Sequence, residues 1–201
     1  MMGGVNQPTS SLETRTIAAA AADPVCAAIL DRMPHLGLSE WWLTAGAVFQ
    51  NVWNAVEGHA PGYGIKYYDV FYFDDTDLSW EAEDAVIRRA SDTLHDVPAH
   101  VELRNEARVH LWYEAKFGTP AAPFTSATDA IDSFASTTCC VGLTRASADG
   151  TAGTQVYAPF GLDDVFAMHM RPNRRLAPQS VYDAKVTDYR RRWPSLTSDP
   201  W

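Results

Sequence analysis

Cysteine is scarce in this chain, with three residues in 201: Cys26 and the adjacent Cys139 and Cys140. An odd count with a neighbouring pair argues against a disulfide framework. No Cys-x-x-Cys partner or histidine cluster lies near Cys139-Cys140, which argues against structural zinc as well. Reduced, partly buried thiols are the expectation. Long apolar runs are also missing, and nothing approaches the roughly 18 residues that a membrane span needs. Ile17 to Ala22 is alanine-rich, but no basic segment precedes it and Asp23-Pro24 interrupts it, so it does not read as a secretory signal. These absences point to a cytoplasmic protein with no membrane partner.

Positive charge is in short supply too. Sixteen Lys and Arg face 25 Asp and Glu, for a formal charge of −9 and a pI near 5.0. Such a surface repels phosphate backbones, which excludes a bulk nucleic-acid surface but leaves room for a nucleotide in a local pocket. The dense basic cluster, Arg190, Arg191 and Arg192, reads as the solvated face of a terminal helix.

What is present suits one globular core: 46% hydrophobic and 20% charged residues in a chain of this length. Residues 1–15 are expected to form a flexible leader, with a single domain over 16–196. Asp23-Pro24 marks a helix start, with a capping Asp and Pro at the first helical position. Trp41 to Val56 has a helical apolar face, yet Gly46 inside it costs about 1 kcal/mol relative to Ala. Either the chain turns there and a new helix starts, or something packs against its backbone. Ile65 to Phe73 reads as a buried strand, followed by a helix from Trp80 to Ala90. Further strands are expected at Val101–Leu103 and Ala107–Trp112, and a helix at Thr128–Phe134. A hairpin is expected from the β-prone run Thr137–Leu143 through a polar tip at Ser147–Thr154 to Gln155–Phe160. Helices around Leu162–Met170 and Val181–Trp193 close a mixed α/β or α+β order with a small sheet.

The chemically informative feature is a small-residue turn followed about twenty residues later by a strand carrying carboxylates. A glycine at a helix start lets backbone N–H groups approach a triphosphate. Carboxylates at alternate strand positions share a face and can hold Mg²⁺ against it, and another on a neighbouring strand can share a metal or take a hydroxyl proton.

Ala45-Gly46-Ala47 with Asn51 and Trp53, then Asp69-Val70-Phe71-Tyr72-Phe73-Asp74, then Asp77-Leu78-Ser79 with Glu81-Ala82-Glu83-Asp84, resemble a bacterial family of nucleotidyltransferase-like proteins. Asn105, Ala107 to Glu114, Lys116-Phe117-Gly118, Thr125-Ser126, Asp129-Ala130-Ile131 and Ala158 to Asp164 extend the resemblance across Trp41 to Trp193. It implies a polymerase-β-like fold, a small mixed sheet flanked by helices, that transfers a nucleotidyl group from a nucleoside triphosphate to an acceptor hydroxyl with Mg²⁺ or Mn²⁺. Gly46-Ala47 falls on the phosphate turn, with Ala where Ser or Gly is common. Asp69 falls on the second Asp of the metal-binding pair and Tyr67 where the first is expected. A phenol with a pKa of about 10 is a poor Mg²⁺ ligand at neutral pH. Glu102 is the candidate third carboxylate. Three readings follow: a weakened enzyme, a nucleotide-binding or regulatory pseudoenzyme, or a changed substrate.

Plainer readings accompany these. Asp69 could serve a structural hydrogen bond, Gly46 helix packing, and Glu102 solvation of a strand. Arg108 and His110, at alternate positions of an expected strand, could clamp a phosphate together or belong to a structural polar network. Asp163-Asp164 reads as a helix cap and the aromatic residues as core. Val70 to Thr76 also resembles the nucleophile strand of haloacid-dehalogenase-like phosphatases, with Asp74 as nucleophile. That reading lacks alternating βα units and a lysine in the usual context.

Overall fold

The computed structural model describes residues 11–146 and 153–201. The expected leader lies outside these residues as far as residue 10, and so does most of the expected hairpin tip. From Leu12 the chain is helical. Ser11 caps α1 (Leu12–Ala21) by accepting from the Thr14 amide, and Asp23 caps α2 (Pro24–Arg32) through the Val25 amide at 2.9 Å.

The expected helix over Trp41–Val56 divides. Trp41–Thr44 is β1, Ala45 turns the chain with φ 54° and ψ −134°, and α3 runs from Gly46 to Glu57. Of the two explanations open for Gly46, the turn is the one realised. β1 is central because its aromatic and aliphatic residues pair on both sides, with β2 (Tyr68–Tyr72) and with β4 (Gly142–Thr144), both antiparallel. β2 then pairs in parallel with β3 (Val101–Asn105), α4 (Trp80–Thr93) making the crossover under a Ser79 cap. β5 (Gln155–Tyr157) returns antiparallel to β4 as expected, but the outgoing arm is Gly142–Thr144, since Thr137–Cys139 of the expected run winds as a 3-10 helix. The sheet order is β3-β2-β1-β4-β5.

Two expectations fail for local reasons. Ala107–Trp112 is not a strand: Glu106–Leu111 winds as a 3-10 helix. The Asn105 side chain accepts from the Ala107 amide and from the Asp74 amide, and it donates to the Asp74 carbonyl, which ends β3 and turns the chain away from the sheet. The expected helix Leu162–Met170 stops early. α7 covers Asp163–Phe166, Met168 adopts φ 51°, and β6 (His169–Met170) pairs in parallel with β7 (Thr197–Ser198). Neither Asp163 nor Asp164 caps it with a side-chain bond; Asp164 instead pairs with Arg171. Two short helices, α5 (Tyr113–Phe117) and α6 (Ala127–Ile131), precede β4, and α8 (Gln179–Arg192) follows β6.

One sheet face, carrying Trp41, Leu43, Tyr68, Val70, Tyr72 and Leu103, packs on α3, whose residues Gly46 to Asn54 are all buried. Tyr189 of α8 meets Phe49 and Trp53 edge-on, and the Trp53 indole donates to the Val165 carbonyl at 3.0 Å. The three thiols are free and buried, and burial pushes Cys139 up to about 12, so all are inert. Among the described residues, no helix is long and apolar enough to cross a membrane.

Candidate functional site

Alternation along β2 turns Asp69 and Phe71 to the sheet face opposite α3. The parallel register places Glu102 beside Asp69 and Arg104 beside Phe71, while the antiparallel register places Thr44, the last residue before the turn into α3, on the other side of Asp69. Three chain-distant elements thus bring a helix N-terminus and two carboxylates side by side.

Burial, then the negative charge of Glu102, pushes the Asp69 carboxyl up to about 6, against the opposing charges of Lys185, Arg104 and His100. Glu106, two residues beyond Arg104, is 4% exposed, and burial, followed by Asp69, holds its carboxyl well above the usual range. No described residue hydrogen-bonds to it. Nothing in the local sequence marks Glu106, because only the chain's turn out of β3 directs it inward.

The concave space around Asp69 has two lobes that meet at Asp69, Val181 and Lys185. One, about 490 Å³, lies against the start of α3 and is bounded by Gly46, Gln50, Lys66, Tyr67 and Arg192. The Gly46 and Ala47 amides have no acceptor among the described residues, as the first amides of a helix ordinarily do not. Gln50 Oε1 and Arg192 Nε are buried there without partners. Lys66 and Arg192 both lean on one carboxylate, Asp188, which leaves positive charge in excess. Free amides, an unpartnered guanidinium nitrogen and surplus cations together fit a polyphosphate.

At position 46 a Cβ would lie 2.6 Å from Gln50 Nε2, so a larger residue there would displace the end of the Gln50 side chain. Ala45, by contrast, holds a backbone conformation that almost only glycine adopts, at a strain of about 1–3 kcal/mol. Ala45→Gly is therefore expected to raise stability by about 1 kcal/mol once the greater unfolded-state freedom of glycine is deducted, as read by urea denaturation. A lowered midpoint, from the unfolded-state freedom of glycine alone, would show that the turn carries no strain.

The second lobe, about 510 Å³, lies beyond Glu102 and is walled by aromatic side chains from β2, α4 and the segment following β3. Arg108 lines it, but its guanidinium donates to the Leu78 carbonyl and pairs with Glu83, which also accepts from the Asn105 amide. His110 borders neither lobe, and its Nδ1 is buried without a partner. In a 3-10 helix, residues two apart point in different directions, so Arg108 and His110 do not share a face. Ala47 is fully buried, its carbonyl accepting from Cys26 and Asn51. Arg192, expected on a solvated face, instead lines the first lobe. Lys185, which local sequence also left unmarked, comes from α8 to border both.

A solved structure of a CCA-adding enzyme head domain, determined by NMR, superposes with a TM-score of 0.73 at 23% identity, over 94% of this chain and 96% of that one. At that identity the likeness shows the fold alone, a polymerase-β-like nucleotidyltransferase fold. A family model described as Nucleotidyltransferase matches residues 31–198, and the chain belongs to that family. No curated protein matches it. The phosphatase reading falls with this assignment. Asp74 lies outside both lobes, its carboxylate accepting from Thr76, and the sheet has antiparallel pairs where a wound βα fold would be parallel.

Proposed function

We propose that the protein transfers a nucleotidyl group from a nucleoside triphosphate to an acceptor hydroxyl at the junction of the two lobes. The observation that carries this is the register that sets Asp69 between Glu102 and the start of α3. The Gly46 and Ala47 amides, with Lys66 and Arg192, would bind the β- and γ-phosphates. Lys185 would face the α-phosphate beside Asp69.

Asp69 and Glu102 are a donor set suited to one divalent cation, their mutual repulsion being relieved by a positive charge between them. No group of three or more metal-binding side chains occurs among the described residues, and Mg²⁺ commonly takes one or two carboxylates with phosphate oxygens and water completing its shell. Bound there, Mg²⁺ or Mn²⁺ would neutralise charge developing on the phosphate oxygens. Glu102, on the side away from the phosphate lobe, would take the proton of an approaching hydroxyl. We assign Arg108 to holding the loop after β3 against α4, and His110 no direct contact.

A second reading is favoured by Tyr67, which occupies the expected ligand position. It is 52% exposed, packs edge-on against His100 and borders the phosphate lobe beside Asp69. With one carboxylate fewer, the site would retain nucleotide with weak turnover or none. The acidic surface, at net charge −9, favours a small acceptor over a polynucleotide under either reading.

Titration with ATP, GTP, CTP and UTP, with and without Mg²⁺ or Mn²⁺, followed by tryptophan fluorescence, tests both. Metal-dependent saturation by the native chain is expected, and absence of binding both by it and by Tyr67→Asp would overturn the nucleotide site. Tyr67→Asp is expected to tighten metal-dependent binding about tenfold by adding a carboxylate on the face of Asp69. Binding with no consumption of NTP by the native chain, and turnover only in Tyr67→Asp, would establish the second reading.

A further inference from the structure

The lobe beyond Glu102 is the part of the site that phosphate binding leaves unexplained. Nucleotidyl transfer proceeds in line, so the entering hydroxyl and the leaving pyrophosphate lie on opposite sides of the α-phosphorus. Since the pyrophosphate is directed over α3, toward Gly46 and Arg192, the hydroxyl must arrive from the β3 side. In the strand order β3-β2-β1 that side is Glu102 and the second lobe.

The chemistry of this lobe is specific. Phe71 and Phe134 meet at a tilt in this lobe with centroids 5.5 Å apart, while Trp80 and Trp112, which also line it, stay 62% and 37% exposed. Glu106 lines it, more than nine-tenths buried and with no hydrogen-bond partner among the described residues. Its carboxyl faces a lobe open to solvent, where a ligand group can replace water as its partner. Aromatic faces with charged groups set among them, of which the Glu106 carboxyl has no hydrogen-bond partner among the described residues, suit a planar ring that carries an N–H edge. Stacking on such faces contributes about 1–3 kcal/mol per base, and carboxylates accept from exocyclic amino groups. A volume of about 510 Å³ admits one such molecule, and the acidic surface discourages a strand with further phosphates.

We propose that the acceptor is a free nucleoside, its base held among these aromatic side chains with its edge on Glu106 and a ribose hydroxyl presented at Glu102. The assignment rests on the nucleotidyl-transfer reading above. The hydroxyl oxygen forms a bond to the α-phosphorus as the bond to the bridging oxygen breaks, and that electron pair leaves with pyrophosphate. The hydroxyl proton passes to Glu102 and then to water, giving a dinucleoside monophosphate.

The test uses adenosine, guanosine, cytidine and uridine as probes, titrated without NTP and followed by tryptophan fluorescence and by NMR shifts. NTP with Mg²⁺ is titrated separately. At least one nucleoside is expected to saturate and, in the native chain or in Tyr67→Asp, to yield the dinucleoside monophosphate by mass spectrometry. Glu106→Leu is expected to weaken that nucleoside about tenfold or more, and Glu106→Gln, which keeps a donor and an acceptor, only a few-fold. Thermal melts of both variants show whether they fold, and Glu106→Gln decides the matter if Glu106→Leu does not. No nucleoside saturating at millimolar concentration while NTP binds would overturn the acceptor assignment and leave nucleotidyl transfer standing. Loss of NTP affinity in Glu106→Leu equal to that for nucleoside would overturn it too, because the lobe would then hold the base of the NTP. Failure of both titrations would remove the underlying reading as well.

Discussion

Asp69→Asn is expected to abolish metal-dependent NTP binding and to lower any transfer rate by about a thousandfold or more, while making the ligand-free protein more stable. The two effects share one cause. Asp69 sits at the junction of both lobes, so in the proposed site its carboxylate would contact the cation and face the α-phosphate, where charge stabilisation is worth several kcal/mol. The same carboxylate is half-buried beside Glu102, and its pKa rises from 3.8 to about 6 on folding. An acid whose folded pKa lies above its unfolded value is penalised when ionised. The penalty is absent below about pH 4, grows as pH rises toward 6 and is full above that. Asparagine carries no such penalty. The stability gain of Asp69→Asn should therefore appear only as pH climbs through this window and reach about 1–3 kcal/mol above it. Urea denaturation at several pH values checks this, and a gain equally large in acid would assign it to packing. Such opposition between stability and activity is the usual mark of a working site.

Asp23→Ala is expected to cost about 3–5 kcal/mol, the largest stability loss predicted for a single substitution in this chain. Asp23 is 1% exposed and serves more than its helix. One oxygen caps α2 through the Val25 amide, and the other accepts from Asn51 Nδ2 at 3.0 Å and from the Tyr68 hydroxyl at 2.9 Å. Asn51 in turn holds the Gly62 amide at 2.8 Å, fixing the turn that leads into β2. Alanine removes the cap and strands two buried donors on α3 and β2. Asp23→Asn, which keeps an acceptor, should lose less than half as much. Equal midpoints in urea for Asp23→Ala and the native chain would show that water replaces the carboxylate without loss. Since β2 carries Asp69, the same substitution should also weaken nucleotide binding in whatever protein remains folded.

Much of the signature that identifies the family is scaffold by this account. Asn51 ties Asp23 to the Gly62 turn, Trp53 anchors α7, and Asn105 ends β3. Arg108 and Glu83 hold the segment after β3 against α4. Among the residues marked for chemistry, Asp69 and Glu102 meet in space and Gly46 shares the phosphate lobe with Asp69. Ala47 turns its side chain into the core. Arg108 already has partners, and His110 stands apart. Glu106, Lys185 and Arg192 were unmarked for the site, because nothing in their immediate sequence distinguishes them from solvated charges.

The sequence by itself determined what depends on near neighbours. Asp23 and Ser79 begin helices because their oxygens reach amides two or three residues ahead. Alternation in β2 puts Asp69 on the face opposite Tyr68 and Val70. The tertiary structure decided what depends on register and on contacts between distant segments. Whether Trp41 to Thr44 coils or extends turned on strand partners supplied by β2 and β4. Glu102 lies beside Asp69 only because β3 pairs in parallel with β2 at one register, and a one-residue slip would send it to the other face. Lys185 and Arg192 enter the site only because Tyr189 and Trp193 seat α8 against α3. Local spacing carries no record of such contacts, since they form from surfaces that exist only once the core has closed.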